Sequence, residues 1–149
     1  MSQKDSLIRP VFEHMSLGTS DLERTKRFYD AVLAPLGLVR VAQEMEPAGP
    51  SACWGPPGTL PAPDGSPGAA PFWLEERRDT HIICPPGFHL CFWAESRAAV
   101  RAFHAAGLQN GGRDNGPPGL RPHYAENYYA AFLLDPDGWR IEAVTFATT

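Results

Sequence analysis

The apolar positions change period along the chain, and the changes repeat. From Val11 to Leu17 they alternate, which predicts a strand with Phe12, His14 and Ser16 on one face and Val11, Met15 and Leu17 on the other. From Asp21 to Leu33 the period lengthens, and Leu22, Phe28, Tyr29, Val32 and Leu33 fall on one side of a helix. Ser20 and Glu23 have the S-x-x-E spacing of a capping box, which occupies free backbone N–H groups at a helix start. Pro35 and Gly37 end that helix. Leu38 to Ala42 reads as a second strand, Ser51 to Trp54 as a short one, and Phe72 to Glu75 as another. The intervening segment from Glu44 to Pro71 holds half of the 16 prolines, and Gly55 to Ala70 reads as a surface loop. Ile82-Ile83 suggests a brief strand inside a connector from Arg77 to Gly87.

Then the order returns. Phe88 to Trp93 alternates as a strand. Ser96 caps a helix that is expected to run to Ala106 and stop at Gly107, with Ala99, Val100, Phe103 and Ala106 on its apolar face. A stretch rich in Gly, Pro and Asn follows, from Gln109 to Arg121. Tyr128 to Leu134 is a strand, Asp135-Pro136-Asp137-Gly138 is a tight turn, and Trp139 to Val144 is the last strand. A shift of 75 residues lays His14 on His89, Phe28 on Phe103 and Ala31 on Ala106. The repeated element order predicts two copies of one β-α-β-β-β module, at about 11–80 and 88–146, in a single α+β domain.

Composition narrows the function classes. The 149 residues carry a formal net charge of −4 and no basic stripe, which argues against nucleic acid as a partner. The 3 cysteines, Cys53, Cys84 and Cys91, lack CxxC spacing and read as reduced thiols of a cytoplasmic protein. MSQKDSLIRP has no apolar signal core, and no apolar run nears the roughly 18 residues that span a bilayer, so no membrane is expected as a partner.

The chemistry begins with Glu142, a carboxylate set among Ile141, Ala143 and Val144. Burying it unpaired would cost several kcal/mol. It either faces water or meets something positive. His14 and His89 occupy equivalent places in the first strands of the two modules. If the modules pair by pseudo-symmetry, both imidazoles and Glu142 share one concave surface. Two histidines and a carboxylate with open positions suit a divalent ion such as Zn, Mn, Ni or Fe. The alternative is ordinary: a histidine in an alternating strand is often hydrogen-bonded core or surface. Arg121 in the loop before Tyr128 suits an anionic substrate group, and His123 and Tyr124 are candidate proton donors or acceptors. Tyr129, Trp54 and Trp73 are candidates for the wall of a substrate pocket.

These residues together resemble a family. His14-Met-Ser-Leu-Gly-Thr-Ser-Asp-Leu-Glu-Arg, Phe28-Tyr29, His89-Leu-Cys-Phe, Tyr128-Tyr129-Ala-Ala-Phe and Asp135-Pro-Asp-Gly-Trp-Arg-Ile-Glu142 are similar to the vicinal oxygen chelate superfamily of glyoxalases, bleomycin resistance proteins and dioxygenases. The resemblance implies paired βαβββ modules forming a cup-shaped, partly open mixed β-barrel with flanking helices. It implies His14, His89 and Glu142 as metal ligands, a small oxygen-chelating substrate, and a homodimer. The chemistry implied is lyase, isomerase or group transfer, by Lewis-acid stabilisation of an oxyanion or enolate. The position matching Glu142 in the first module holds Trp73, so a fourth, glyoxalase I-like carboxylate is missing there. A metal-free binding protein of the bleomycin-resistance type is the alternative.

Overall fold

The computed structural model describes residues 12–58 and 70–149. Its first module is β1 (Met15–Thr19), α1 (Leu22–Leu33), a single 3-10 turn, β2 (Val39–Glu46), β3 (Gly49–Gly55) and β4 (Phe72–Glu76). The second is β5 (Leu90–Trp93), α2 (Arg97–Gln109), β6 (Arg113–Leu120), β7 (Tyr129–Leu134) and β8 (Arg140–Thr145). The strands form two mixed sheets of the same plan, β1-β4-β3-β2 and β5-β8-β7-β6. In each, the first strand runs parallel to the last and the other neighbours are antiparallel. The two sheets do not close into a barrel; they make an open cup with the helices on its outer side.

Strand parity decides what lies on each side. Leu17, Phe72, Leu74, Ile141, Ala143 and Leu133 face the helices and share one core with Phe28, Tyr29, Val32 and Phe103. The Phe72 ring of β4 and the Phe92 ring of β5 stand edge to face at 5.6 Å and form the seam between the sheets. Ser16 pairs with Trp73 as Cys91 pairs with Glu142, so the register confirms that Trp73 holds the place equivalent to Glu142.

Several sequence expectations need correction. The cap of α1 is Asp21, whose side chain accepts from Arg24 N at 3.0 Å; the Ser20 hydroxyl donates instead to Asp137, far along the chain. α2 does not stop at Gly107 but runs through it to Gln109. There glycine serves packing: a Cβ would run into the Leu133 side chain. Within the Gly-, Pro- and Asn-rich stretch, for which the sequence predicts no element, residues 113–120 form strand β6 despite Pro117 and Pro118. It is the edge of its sheet, pairs only with β7 and is interrupted by bulges, where missing N–H groups are tolerated. Ile82-Ile83 forms no strand. Val11 and residues 59–69 of the expected loop lie outside the described residues.

The turn 135–138 also joins the modules. Asp137 accepts from Thr19 Oγ1 at 2.5 Å, Ser20 N at 3.2 Å and Arg24 Nη2 at 2.7 Å. Tyr29 Oη donates to Asp135 at 2.8 Å, and Trp139 Nε1 donates to Gly18 O at 2.8 Å. Gly138, at φ 94°, supplies the left-handed exit the turn requires. Every one of these contacts crosses from the second module to the first, so the turn fixes how they sit together.

Candidate functional site

Glu142 lies on the open face of the second sheet, directly opposite Phe132 on β7 and Cys91 on β5. It is nevertheless only 1% exposed. Its two oxygens have different partners. Tyr128 Oη donates to Oε1 at 2.5 Å, and His89 Nε2 stands 3.1 Å from Oε2. The Cys91 thiol also meets the carboxylate; desolvation, with Glu142 second, pushes its pKa up to about 12, so it stays a neutral donor. Burial and the same carboxylate hold the Tyr128 phenol well above its ordinary range. The question raised by the apolar setting of Glu142 is thus answered in part: the carboxylate is buried and hydrogen-bonded, and the imidazole is the positive partner within reach when protonated.

His14 lies elsewhere. It precedes β1, its Nδ1 pairs with the neighbouring Glu13 carboxylate, and it lines a cavity of about 180 Å³ at the seam with Phe12, Pro71, Phe72, Cys91 and Phe92. The side chains of His14 and His89 are each about half exposed. Among the described residues, no three His, Cys, Asp or Glu side chains gather closely enough to hold a metal ion. The His89–Glu142 pair fits a divalent first-row ion in donor type, imidazole plus carboxylate, and among the described residues no third ligating side chain gathers with it.

The remaining candidates divide by face. Trp54 is fully buried among Tyr29 and Phe72, and its indole donates to Asp30 at 3.0 Å, so it packs on the helix side and is remote from the open face. Tyr129 also turns toward the helix side, under the Arg97 guanidinium at 5.1 Å; strand parity separates it from Glu142. Trp73 lies on the opposite face of its sheet from that core, its indole bonded to Ala70 O. Arg121 is laid over the Phe132 ring at 5.5 Å and donates to Pro117 O at 2.7 Å. The His123 and Tyr124 rings lie against one another, tilted, with centroids 4.2 Å apart in the loop between β6 and β7. From Tyr124 the rings continue through Tyr128 and Phe146 to Trp93, each 5.2–5.9 Å from the next. Tyr124 and Trp93 are 61% and 72% exposed. Sequence reasoning missed Tyr128; counting strand parity back from Phe132 would have placed it beside Glu142.

Residues 11–143 match the model of the Glyoxalase/Bleomycin resistance protein/Dioxygenase superfamily. The chain belongs to this superfamily. A glyoxalase/bleomycin resistance protein from Albidiferax ferrireducens T118 is 32% identical, with a TM-score of 0.72 over 91% of this chain and 98% of that one. A glyoxylase/bleomycin resistance protein/dioxygenase domain from Frankia sp. EAN1pec superposes with a TM-score of 0.66 at 20% identity, over 91% of this chain and 96% of its own. Glyoxalase I from Zea mays gives 0.64 at 20% identity over 90% of this chain, which spans 45% of the maize chain. The last two likenesses establish the fold alone. A comparison with curated proteins finds no match. As in a superfamily member built of strands and two helices, no helix among the described residues is long and apolar enough to cross a membrane.

Proposed function

We propose that this superfamily member is a metal-dependent enzyme acting on a small substrate that presents two oxygens. The observation that carries the reading is the pair of His89 and buried Glu142, 3.1 Å apart on the open face. A carboxylate held this deep has two neutral donors and one imidazole beside it, and a cation would further offset its burial. In this reading His89 and Glu142 hold a divalent ion (Zn, Mn, Ni or Fe) together with the partner subunit's His14. When bound, the ion supplies Lewis-acid stabilisation of an oxyanion or enolate, the basis of lyase, isomerase or group-transfer chemistry. The exposed rings of Trp93, Phe146 and Tyr124 flank the carboxylate and would exclude water from a bound substrate. They also support the dimer, since a lone chain leaves this apolar strip bare. In this reading His123 and Tyr124, whose rings lie 4.2 Å apart in the loop before β7, would exchange a proton with a substrate group.

The test is elemental analysis of protein purified without a chelating tag, followed by titration with each of the four ions. Wild type is expected to bind about one ion per chain, and Glu142→Gln to weaken binding by roughly 100-fold or more. Failure of wild type to bind any of them would overturn the reading. One observation favours a second reading, sequestration of an apolar ligand without metal: the same aromatic strip suits a flat hydrophobic molecule. In that case ligand affinity would be unchanged by Glu142→Gln and lost with Trp93→Ala.

A further inference from the structure

The loop 121–128 delivers one residue that the proposed reading leaves unused. Arg121 N donates to Tyr128 O at 2.7 Å and Tyr124 N donates to Arg121 O at 2.9 Å, which closes the loop at the mouth of the β6–β7 hairpin. Asn127, with φ 61°, turns the chain just before Tyr128. The Tyr128 ring is then held between Tyr124 at 5.2 Å and Phe146 at 5.4 Å, edge to face with both. So fixed, its hydroxyl meets Oε1 of Glu142 at 2.5 Å while Oε2 remains 3.1 Å from His89.

We propose that Tyr128 is a positioning residue: its hydroxyl occupies Oε1 of Glu142 and thereby turns Oε2 toward His89 as the oxygen free to bind a cation. The last torsion of a glutamate is broad and roughly two-fold, so burial alone does not select one oxygen. Cys91 cannot substitute, because a thiol is a weak donor. A protonated phenol donating to an ionised carboxylate is a strong, short bond. The inference rests on the metal reading for its consequence, though not for its geometry. Partners that hold a metal ligand in place typically change metal affinity about 10–100-fold.

The test is Tyr128→Phe, which removes only the hydroxyl, read in two ways. Titrated with Co²⁺, the variant is expected to bind at least about 10-fold more weakly than wild type and to shift the visible absorption bands of the bound ion. In a crystal structure of the metal-free variant, the Glu142 carboxylate is expected to rotate away from His89. An unchanged affinity and spectrum together with an unmoved carboxylate would overturn the proposal. If wild type takes up no Co²⁺, the metal reading fails; the metal-free crystal structure still decides the role of Tyr128, since a carboxylate that stays in place contradicts it.

Discussion

Two of the buried acidic sites, the turn 135–138 and Glu142, are built to opposite plans. At the turn 135–138, Asp137 is surrounded by Thr19, Ser20 and the Arg24 guanidinium, and Asp135 by Tyr29 and the backbone N–H groups of Asp137 and Trp139. On the open face, Glu142 has Tyr128, Cys91 and a half-exposed His89. No Lys or Arg pairs with it among the described residues. The first cluster surrounds its carboxylates with donors, a guanidinium among them, and joins two modules. The second is buried as deeply, yet incompletely compensated and open toward solvent through His89. A carboxylate that only had to be stored would be satisfied like Asp137. The contrast is why the Glu142 site reads as functional and the turn as structural.

Substitution should sharpen that contrast. Asp137→Ala strips the Arg24 guanidinium of its partner and is expected to destabilise the fold by about 3 kcal/mol, read from urea unfolding; the figure is at the low end for a broken pair because Arg24 is partly exposed. Glu142→Gln in metal-free protein is expected to change stability by less than about 1 kcal/mol, since the amide retains an oxygen for Tyr128 and no cation is stranded. Equal losses for the two would erase the distinction.

The turn also has a pH signature. Burial raises Asp135 to about 6, against the opposing pull of Tyr29 and the Trp139 and Asp137 amides. A carboxyl raised on folding favours the folded state while protonated, so its contribution is present below about pH 4 and is lost as pH rises through 6. Relative to Asp135→Asn, wild type should therefore lose about 2 kcal/mol of stability between pH 4 and 7. For Asp137, burial pushes upward but hydrogen bonds from Ser20, Thr19 and Arg24 outweigh it and hold the group below the ordinary range. Its contribution runs the other way: present above about pH 4 and lost only in more acid solution. Parallel pH–stability curves for Asp135→Asn and wild type would contradict the account of the turn.

Much of this was legible in the sequence. Alternation and helical period located most elements, and the 75-residue shift between His14 and His89 is the same shift that relates β1 to β5. The parity of Glu142 against Ile141 and Ala143 correctly put it on the face away from the helices. What escaped depends on distant partners. Trp54 reads as a pocket-wall residue until Asp30 and Tyr29 bury it on the helix side. Ser20 looks like a cap until Asp137 takes its hydroxyl. β6 looks like coil because an edge strand tolerates the prolines that local propensity forbids. Tyr129 faces the helices and Tyr128 the carboxylate, a distinction that only the pairing of Phe132 with Glu142 makes plain.

The central claim is that His89 and Glu142 form one part of a metal site completed by the partner subunit's His14. It is tested most directly by co-expressing His14→Ala and Glu142→Gln chains with different tags and purifying the mixed dimer through both. In that dimer one site lacks both altered ligands and the other has all three intact. The account predicts about one tightly bound ion per mixed dimer and essentially none in either variant alone. A mixed dimer that binds no ion, while wild type binds one per chain, would place the whole site within a single chain and contradict it.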